Sequence, residues 1–268
     1  MRNGKPEMCK RIIFTNRKGG VGKTTSVYNL GWYLSKLGFD VLLVDLDPQG
    51  NLSKGLLPEE ELSEGLYDAL TEGTLPIIEV KKRLSLLSGD ERLSALEKQL
   101  VGQIDGFTRL YELLDRDELL RYRFVLVDSP PSLSMLTTNG LVACEYLISP
   151  VNPKLYALQG MNELLSTVHR VKQHFNPYLE LLGIIINDHE KRPVISNEIA
   201  AEVESAFGDV VFATRISRSI KFEEAVNQRT GVVDLARLDK SRAKEEIELV
   251  AGELISRLKM HIPAPYPR

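Results

Sequence analysis

The sequence predicts an α/β fold in which a doubly wound, mostly parallel sheet carries helices on both faces. Short apolar runs, typical of strands buried on both sides, alternate with longer stretches whose apolar residues recur at intervals of three and four. The chain has 268 residues, of which 43% are hydrophobic, and no repeat or Gly/Ser/Pro-rich linker divides it. We therefore expect a single domain over residues 1–268.

The expected strands are short and apolar, whereas the expected helices are longer and amphipathic. Strands are predicted over residues 11–15, 41–45, 84–87, 124–128, 146–149, 181–187 and 210–213. Helices are predicted over residues 24–37, 155–175 and 196–207. Near the carboxyl end, an apolar stripe predicts a further helix packed on the sheet, formed by Ile247, Val250, Ala251, Leu254 and Leu258.

Residues 51–103 differ in composition from the rest of the chain. They are rich in charged residues and contain several glycines and prolines, among them Gly55, Pro58 and Gly73. Such residues are typical of turns and of loops at the surface. We expect this segment to hold surface insertions of the domain.

The composition excludes several classes of protein. With 34 basic and 37 acidic residues the net charge is −3, so nucleic acid cannot be bound by bulk charge and would need a local basic patch. Cys9 and Cys144 lie in unrelated contexts, which excludes a zinc cluster and a disulfide framework and favours a reducing compartment. No apolar run approaches the about 18 residues that a membrane span needs. We therefore expect a cytoplasmic protein.

A glycine-rich segment between the first expected strand and its helix predicts a nucleotide site. Residues 17–25 read RKGGVGKTT. Glycines allow backbone N–H groups to surround phosphate oxygens, Lys23 can reach the β- and γ-phosphates, and the Thr24 hydroxyl can ligate Mg²⁺. The residues expected to bind the nucleotide are Lys18, Gly19, Gly20, Val21, Gly22, Lys23, Thr24 and Thr25.

This loop departs from the usual P-loop pattern, because Arg17 stands where a glycine is expected and Lys18 adds a second lysine. The run from Lys18 onwards resembles the deviant Walker A motif of the ParA/MinD family of ATPases. The resemblance implies that ATP is hydrolysed with Mg²⁺ by an ATP-dependent homodimer, in which Lys18 reaches the partner subunit's site. If Lys18 is only a solvent-facing residue of the loop, the protein could instead act as a monomer.

Three acidic residues lie at the carboxyl ends of expected strands. Asp45 and Asp47 belong to the run VDLDPQGN over residues 44–51, and Asp128 to VDSPPS over residues 127–132. Ligands of open α/β sheets bind at the carboxyl ends of the strands, so we expect these carboxylates to converge on the phosphates. Taken singly, each could equally be a turn or cap residue. Both runs resemble acidic motifs of the family, which implies that Asp128 holds Mg²⁺ through water, Asp47 orients the attacking water and Asp45 supports the metal shell.

Two later segments carry looser resemblances. Residues 150–160 resemble a segment of the partition ATPases that leads into a long helix. Asn187 ends the run IIIN at the position where the family and its relatives place an amide that contacts adenine. A capping or turn asparagine is nearly as compatible with this position.

Residues 211–234 resemble the chromosome and plasmid partition branch of the family, called ParA or Soj, in which basic residues bind DNA without reading its sequence. Without that resemblance, basic residues at such spacing are more often a solvated face. Ser217 and Ser219 replace a proline and an asparagine of the family. The sequence therefore does not determine whether this segment contacts the nucleotide. The positions implied to bind DNA are Arg215, Arg218 and Lys221, with Lys191 and Arg192 and the basic run over residues 237–244 as weaker candidates.

The resemblance implies a nucleoid-associated partition ATPase that works with a ParB-like centromere-binding protein. A positioning ATPase for another cargo, such as a carboxysome or a chemoreceptor cluster, is an alternative that the sequence does not separate from it. A membrane-associated ATPase of the MinD kind is disfavoured, because prolines at positions 263, 265 and 267 cannot continue a terminal amphipathic helix, and no stable membrane anchor is expected. An iron–sulfur carrier would need paired cysteines that the chain lacks.

Overall fold

A seven-stranded sheet forms the centre of the computed structural model, which describes residues 9–154, 156–187, 194–235 and 241–263. The strand order is β3-β4-β2-β5-β1-β6-β7, and of these neighbours only β3 and β4 are antiparallel. This arrangement confirms the predicted doubly wound, mostly parallel sheet. The strands of the described part are β1 (Lys10–Phe14), β2 (Val41–Asp45), β3 (Ile78–Lys81), β4 (Leu84–Leu87), β5 (Phe124–Asp128), β6 (Tyr146–Val151) and β7 (Glu180–Ile186).

Helices cover both faces of this sheet. Alternate residues of each central strand point to opposite faces, so that on β1 Ile13 joins one apolar core while Ile12 and Phe14 join the other. The helices of the described part are α1 (Lys23–Lys36), α2 (Asn51–Leu56), α3 (Leu66–Glu72), α4 (Arg92–Leu100), α5 (Arg109–Leu114), α6 (Met135–Ala143), α7 (Ala157–His174), α8 (Val194–Phe207), α9 (Lys221–Asn227) and α10 (Arg242–Arg257).

The two cores assign the helices to layers. Residues of α3 to α8 pack in the core that contains Ile13, whereas residues of α1, α2, α9 and α10 pack in the core that contains Ile12. The apolar stripe near the carboxyl end lies on α10 and is buried in the second core, as predicted. No helix within the described ranges is both long and apolar enough to cross a membrane.

The prediction of a strand over residues 210–213 is wrong. Only Val211 makes an isolated parallel bridge, to Ile184 of β7. The guanidinium of Arg257 donates hydrogen bonds to the carbonyl oxygens of Asp209, Val210 and Val211 at 2.9 to 3.0 Å. A longer strand would need these acceptors for its ladder, so the arginine ends the sheet here.

The segment 51–103 contributes more to the core than its composition indicates. It supplies α2, α3 and α4 as well as the edge strands β3 and β4. Leu52, Leu66 and Leu86 are fully buried. Many apolar side chains of the segment are buried in these elements, whereas Val101 is 67% exposed. The description of the segment as surface insertions stays a prediction.

Candidate nucleotide site

The predicted site residues lie at one edge of the sheet. Strands β2, β5 and β1 are adjacent and parallel, so their carboxyl ends meet. Asp45 and Asp128 are direct partners in the register of β2 and β5, and Phe14, the last residue of β1, is the partner of Asp128 on its other side. The glycine-rich loop leaves β1 at this edge and enters α1 at Lys23. The fold therefore brings the loop and the acidic residues together.

The loop contains a glycine that no other residue can replace. Gly22 has φ +90°, and a Cβ atom there would lie 1.6 Å from Nδ2 of Asn187. The Asn187 amide, at the end of β7, donates a hydrogen bond of 3.1 Å to the carbonyl oxygen of Val21. Asn187 thus contacts the loop directly, and Gly20, with φ +69°, gives the loop its second left-handed turn.

A second asparagine, which sequence analysis did not single out, fixes the beginning of the loop. Asn16 is buried, and its Nδ2 donates to the carbonyl oxygen of Pro150 on β6 at 2.9 Å. Its Oδ1 accepts a hydrogen bond of 3.1 Å from the backbone N–H of Lys18. A polar residue two positions after the buried apolar run of residues 12–14 was the available signal.

Lys23 lies beneath the loop, with 6% of its surface exposed. Its Nζ donates to the carbonyl oxygen of Lys18 at 3.4 Å. Burial lowers the pKa of this ammonium group below its usual value, and the negative charges of Asp128 and Asp47 oppose that shift. The site thus holds a buried cation close to two carboxylates.

Thr24 and Asp128 form a pair suited to a hard cation. The Thr24 hydroxyl donates a hydrogen bond of 2.6 Å to Oδ2 of Asp128. Oδ1 of Asp128 is buried and has no hydrogen-bond partner among the described residues. Burial, together with the nearby charge of Asp45, raises the pKa of Asp128 well above its usual range. Hydroxyl and carboxylate oxygens are ligands that Mg²⁺ prefers, so these residues fit the ion.

Both carboxylate oxygens of Asp45 are engaged by its own segment. Oδ1 accepts from the backbone N–H of Asp47 at 3.2 Å, and Oδ2 accepts from the N–H and the hydroxyl of Ser53 at 2.9 and 2.7 Å. Ser53 in turn accepts a hydrogen bond from the N–H of Gly89. Burial raises the pKa of Asp45 to about 6, and the Ser53 bonds oppose that rise. In this arrangement Asp45 ties α2 to the end of β2.

Asp47 lies in the turn between β2 and α2 and is 7% exposed. Its Oδ1 accepts a hydrogen bond of 3.0 Å from the N–H of Gln49, and its carbonyl oxygen accepts from the N–H of Gly50. These bonds fix the turn. The described residues contain no group of three or more His, Cys, Asp or Glu side chains arranged as a metal site.

The two cations that make the loop unusual lie beside α7. The Nζ atom of Lys18 is 5.7 Å from the ring centroid of Tyr156, and Arg17 forms an ion pair with Glu163. Tyr156 precedes α7 in a left-handed conformation with φ 68° and is 70% exposed. Lys18 is therefore half-buried beside an exposed tyrosine, whereas Lys23 lies buried beneath the loop.

A cleft of about 330 Å³ opens beside the loop. It is lined by the glycines of the loop, by Thr25 and by Asn187, whose amide is bonded to the loop. The opposite side carries two opposite charges, Arg218 and Glu223, next to Phe222. The remaining lining residues are Lys154, Ser217 and Ser219. The cleft combines polar groups with one aromatic ring, as a site for a nucleoside does.

The basic residues predicted to bind DNA have different surroundings. Arg215 donates two hydrogen bonds to Glu204, at 2.9 and 2.7 Å, and Lys221 pairs with Glu224 at 2.6 Å. Arg218 lies on the wall of the cleft. Lys191 and Arg192, as well as the first half of the run over residues 237–244, lie outside the described residues.

The serines that depart from the family pattern are held by other side chains. Ser217 donates from its N–H and its hydroxyl to the buried carboxylate of Glu246 on α10, at 2.8 and 2.7 Å. The Ser219 hydroxyl oxygen accepts from the N–H of Lys221 at 3.2 Å. Glu246 also pairs with Arg242. The loop before α9 is therefore anchored to α10.

Comparison with known proteins identifies the family. A family model described as an AAA domain matches residues 9–181. The chain is 42% identical to the chromosome-partitioning ATPase Soj of Thermus thermophilus over 217 residues, which cover 81% of this chain and 84% of that protein. The chain belongs to the ParA/Soj family of partition ATPases. The chromosome partitioning protein ParA of Caulobacter vibrioides is 37% identical to this ParA/Soj chain, with 80% of this chain and 82% of that protein covered.

The solved structures agree with the fold. Cobyrinic acid a,c-diamide synthase from Mycobacterium smegmatis, crystallised with ADP and magnesium, has a TM-score of 0.79 to this ParA/Soj chain. The two are 28% identical, and the comparison covers 96% of this chain and 100% of the other. With the observed sheet, this similarity establishes the α/β P-loop NTPase fold.

Proposed function

We propose that this protein is an Mg-ATP-dependent ATPase that dimerises with ATP, binds DNA non-specifically and drives chromosome or plasmid partition with a ParB-like partner. One observation carries the ATPase part of the proposal. The buried ammonium of Lys23 lies close to the pair formed by Thr24 and Asp128, directly under a glycine loop. This is the combination of groups that phosphoryl transfer needs, since that reaction depends on positioning and charge neutralisation.

The residues at the sheet edge take separate roles in this proposal. Lys23 binds the β- and γ-phosphates, and Thr24 and Asp128 hold Mg²⁺, with Asp128 acting through water. When bound, Mg²⁺ neutralises phosphate charge as it builds up. Asp47, held by its bond to Gln49, orients the water that attacks in line with the leaving oxygen. Asp45 supports the metal site indirectly, because it accepts hydrogen bonds from the backbone N–H groups of Asp47 and Ser53 and so fixes the turn that carries Asp47.

The proposed dimer rests on Lys18. Its ammonium lies near the exposed ring of Tyr156, whereas the cation buried under its own loop is Lys23. A half-buried lysine at the start of the loop can reach the phosphates of a second protomer, as an arginine finger does. Family membership supports the same arrangement. Each subunit would then complete the site of the other.

The DNA part of the proposal rests on Arg218. This arginine lies on the wall of the cleft that also contains Gly20 and Gly22, so nucleotide in the cleft and DNA at the surface would both affect it. Phosphate contacts of this kind carry no sequence information and weaken steeply with salt. Dimerisation would double their number. This would make DNA binding depend on ATP and place the protein on the nucleoid.

Release of phosphate from ATP, measured with and without Mg²⁺ and duplex DNA, tests the proposal. Turnover that requires Mg²⁺ and is abolished by Lys23→Ala supports it, because no other loop cation is buried under the glycines in the described structure. Lys98→Ala, an exposed lysine of α4, is the control and should leave turnover unchanged. Unchanged turnover in Lys23→Ala contradicts the proposed site.

The adaptor can be identified with protein trapped in the ATP state by Asp47→Ala. A centromere-binding protein recovered with ATP, and absent with ADP, supports partition. Recovery of a carboxysome or chemoreceptor component instead would be compatible with the proposed ATPase cycle but would contradict the proposed role in partition.

A further inference from the structure

A buried carboxylate on α10 holds one residue of the nucleotide cleft. Glu246 lies in the first half of α10 and is 5% exposed. Its Oε2 accepts a hydrogen bond of 2.8 Å from the N–H of Ser217, and its Oε1 accepts one of 2.7 Å from the Ser217 hydroxyl. Ser217 lines the cleft, whereas Glu246 does not. The carboxylate therefore lies behind the cleft and acts on it through Ser217.

The segment that leads to Ser217 follows the edge strand β7. The N–H of Ile216 donates a hydrogen bond of 2.8 Å to the carbonyl oxygen of Ile186, the last residue of β7. Ile216 is buried. The next N–H along the chain, that of Ser217, donates to Glu246 instead. The contact with Glu246 therefore fixes the point at which the chain leaves the sheet and enters the wall of the cleft.

The hydrogen bonds of Ser219, on the same wall, join it to the beginning of α9. Its hydroxyl oxygen accepts from the N–H of Lys221 at 3.2 Å, and its carbonyl oxygen accepts from the N–H of Phe222 at 3.4 Å. Both bonds are local, so they fix the shape of this turn but not its distance from the glycine-rich loop. The link between Ser217 and Glu246 crosses to another element and can fix that distance.

Glu246 is itself held in place on α10. Arg242, one helical turn earlier, donates from Nε to Oε1 of Glu246 at 2.6 Å. Hydrogen bonds between charged groups are shorter and stronger than neutral ones, so the carboxylate has little freedom to move. A proline at position 217, as in the family, has neither an N–H nor a hydroxyl and would make neither bond to Glu246. The family pattern therefore does not imply this link.

A second carboxylate of α10 makes a similar contact away from the cleft. Glu253, two helical turns after Glu246, accepts from the N–H of Ala213 at 3.0 Å and pairs with Arg257. Neither Glu253 nor Ala213 lines the cleft. Helix α10 thus binds the segment 213–217 at both ends, but the contact at Glu253 does not reach a residue of the cleft.

We propose that Glu246 is a positioning residue for the nucleoside part of the bound nucleotide, an inference that rests on the ATPase function proposed above. The phosphates belong at the glycine-rich loop, so the ribose and the base extend along the cleft against Ser217 and Ser219. Glu246 holds this wall at its distance from the loop before the nucleotide binds, which lowers the entropic cost of binding. It raises the affinity for a nucleotide without touching it.

Titration calorimetry on the full chain, with Mg²⁺ and either ATP or inorganic tripolyphosphate, tests this proposal. Tripolyphosphate can occupy the loop but has no nucleoside. Glu246→Gln replaces one acceptor oxygen by a donor and removes the charge, so it should bind ATP about tenfold more weakly and tripolyphosphate as tightly as the wild type. Glu253→Gln is the matched control and should leave both affinities unchanged.

Substitutions of Ser217 test the same link from the side of the cleft. Ser217→Pro removes both donors and should weaken ATP binding about tenfold, whereas Ser217→Thr keeps both and should bind ATP like the wild type. The double variant Ser217→Pro/Glu246→Gln should bind ATP no more weakly than Glu246→Gln alone, because both substitutions break one link. Thermal melting checks that each variant is folded.

The other outcomes overturn the proposal. Equal ATP affinity of the wild type and Glu246→Gln would show that the carboxylate does not affect the cleft. Equal losses of ATP and tripolyphosphate affinity, or the same loss in Glu253→Gln, would show that α10 supports the fold as a whole. A wild-type chain that binds neither compound would overturn the proposed ATPase function as well, whereas wild-type binding without these differences between variants overturns this inference alone.

Discussion

The hydroxyl of Thr24 donates a hydrogen bond of 2.6 Å to Oδ2 of Asp128, although the two residues are 104 positions apart in the chain. The contact exists because β1 and β5 are parallel neighbours, so that the loop after β1 and the last residue of β5 meet at one edge. In the absence of a cation, the hydroxyl partly stabilises a buried carboxylate whose other oxygen has no partner among the described residues. Substitution of Thr24 would leave this carboxylate without its side-chain donor.

We expect Thr24→Val to lower both the stability of the ligand-free protein and its affinity for Mg-ATP. Valine has the shape of threonine without the hydroxyl, so it leaves Asp128 without its donor, at a cost of about 1–3 kcal/mol. Thr24→Ser keeps the hydroxyl and should remain close to the wild type. Urea unfolding and nucleotide titrations with and without Mg²⁺ measure the two effects. Equal behaviour of the valine and serine variants would show that the hydroxyl has neither role.

The strands that are completely buried could be predicted from the sequence. Strands β2, β4 and β5 have every residue buried, so they appear as short, mostly apolar runs with the predicted bounds. The edge strand β3 was missed because it is only partly buried and alternates with Glu79 and Lys81. The strand expected over residues 210–213 failed for a different reason. Arg257, 44 or more positions later, takes the carbonyl groups that the ladder would use, and no local pattern shows this.

We expect Ser53→Ala to destabilise the metal-free protein more at pH 8 than at pH 5. The pKa of buried Asp45 is raised to about 6, so below that pH the folded protein keeps a proton that the unfolded chain releases above its ordinary value of 3.8. The free energy of unfolding therefore falls as pH rises from about 4 through 6. The Ser53 hydroxyl favours the ionised form of Asp45. Its loss should therefore lower the free energy of unfolding most above pH 6, by about 1–2 kcal/mol.

Ser35→Ala provides the control for this experiment. The Ser35 hydroxyl is also buried, but it donates to the carbonyl oxygen of Trp32, which does not titrate. Loss of the Ser35 hydroxyl should lower the free energy of unfolding by the same amount at pH 5 and at pH 8. Urea unfolding in EDTA measures all three proteins, and an equal cost of Ser53→Ala at pH 5 and pH 8 would mean that Ser53 does not act through Asp45.

We expect Lys18→Ala to bind ATP about as tightly as the wild type but to lose hydrolysis and ATP-dependent dimerisation. The reason is that Lys18 lies half-buried beside the exposed Tyr156, whereas Lys23 remains buried beneath the loop. Nucleotide fluorescence, phosphate release and light scattering separate the three properties. Arg17→Ala is a useful comparison, because Arg17 is adjacent and pairs with Glu163 but has no proposed role in catalysis. An unchanged hydrolysis rate in Lys18→Ala would rule out its action on a partner subunit.

Sequence analysis located the candidate site because its residues occur in short contiguous motifs. Lys23, Thr24 and Asp128 lie at or after the carboxyl ends of strands, and parallel strands in a doubly wound sheet bring such positions together. The supporting contacts were not predictable, because each joins residues that only the folded chain makes neighbours. Ser53 holds Asp45, and Asn187 fills the space that a side chain at position 22 would need. The chemical roles assigned to these residues stay predictions.

We expect Arg218→Ala to abolish ATP-dependent binding to unrelated DNA duplexes, and Arg215→Ala to weaken it less. Arg218 lines the cleft beside the loop glycines, where nucleotide can affect it, whereas Arg215 is held away from phosphates by two hydrogen bonds to Glu204. Binding by the wild type should fall steeply with salt because counterions are released. Electrophoretic shifts with ATP and ADP measure this, with nucleotide affinity determined in parallel since Arg218 lines the cleft. Equal binding to anionic vesicles would favour a membrane-associated ATPase instead.

A pair of substitutions at Asp47 separates its chemistry from its structure. Oδ1 of Asp47 accepts the N–H of Gln49, and an asparagine can keep that bond while losing the charge that orients water. We expect Asp47→Asn to bind Mg-ATP, stop turnover and remain a dimer on DNA, with slower dissociation than the wild type. Asp47→Ala should also stop turnover, with a less ordered turn before α2. Phosphate release, light scattering and DNA dissociation rates measure these effects. If Asp47→Asn turns over ATP normally while Asp47→Ala does not, the residue acts only by fixing the turn, and another group must orient the water.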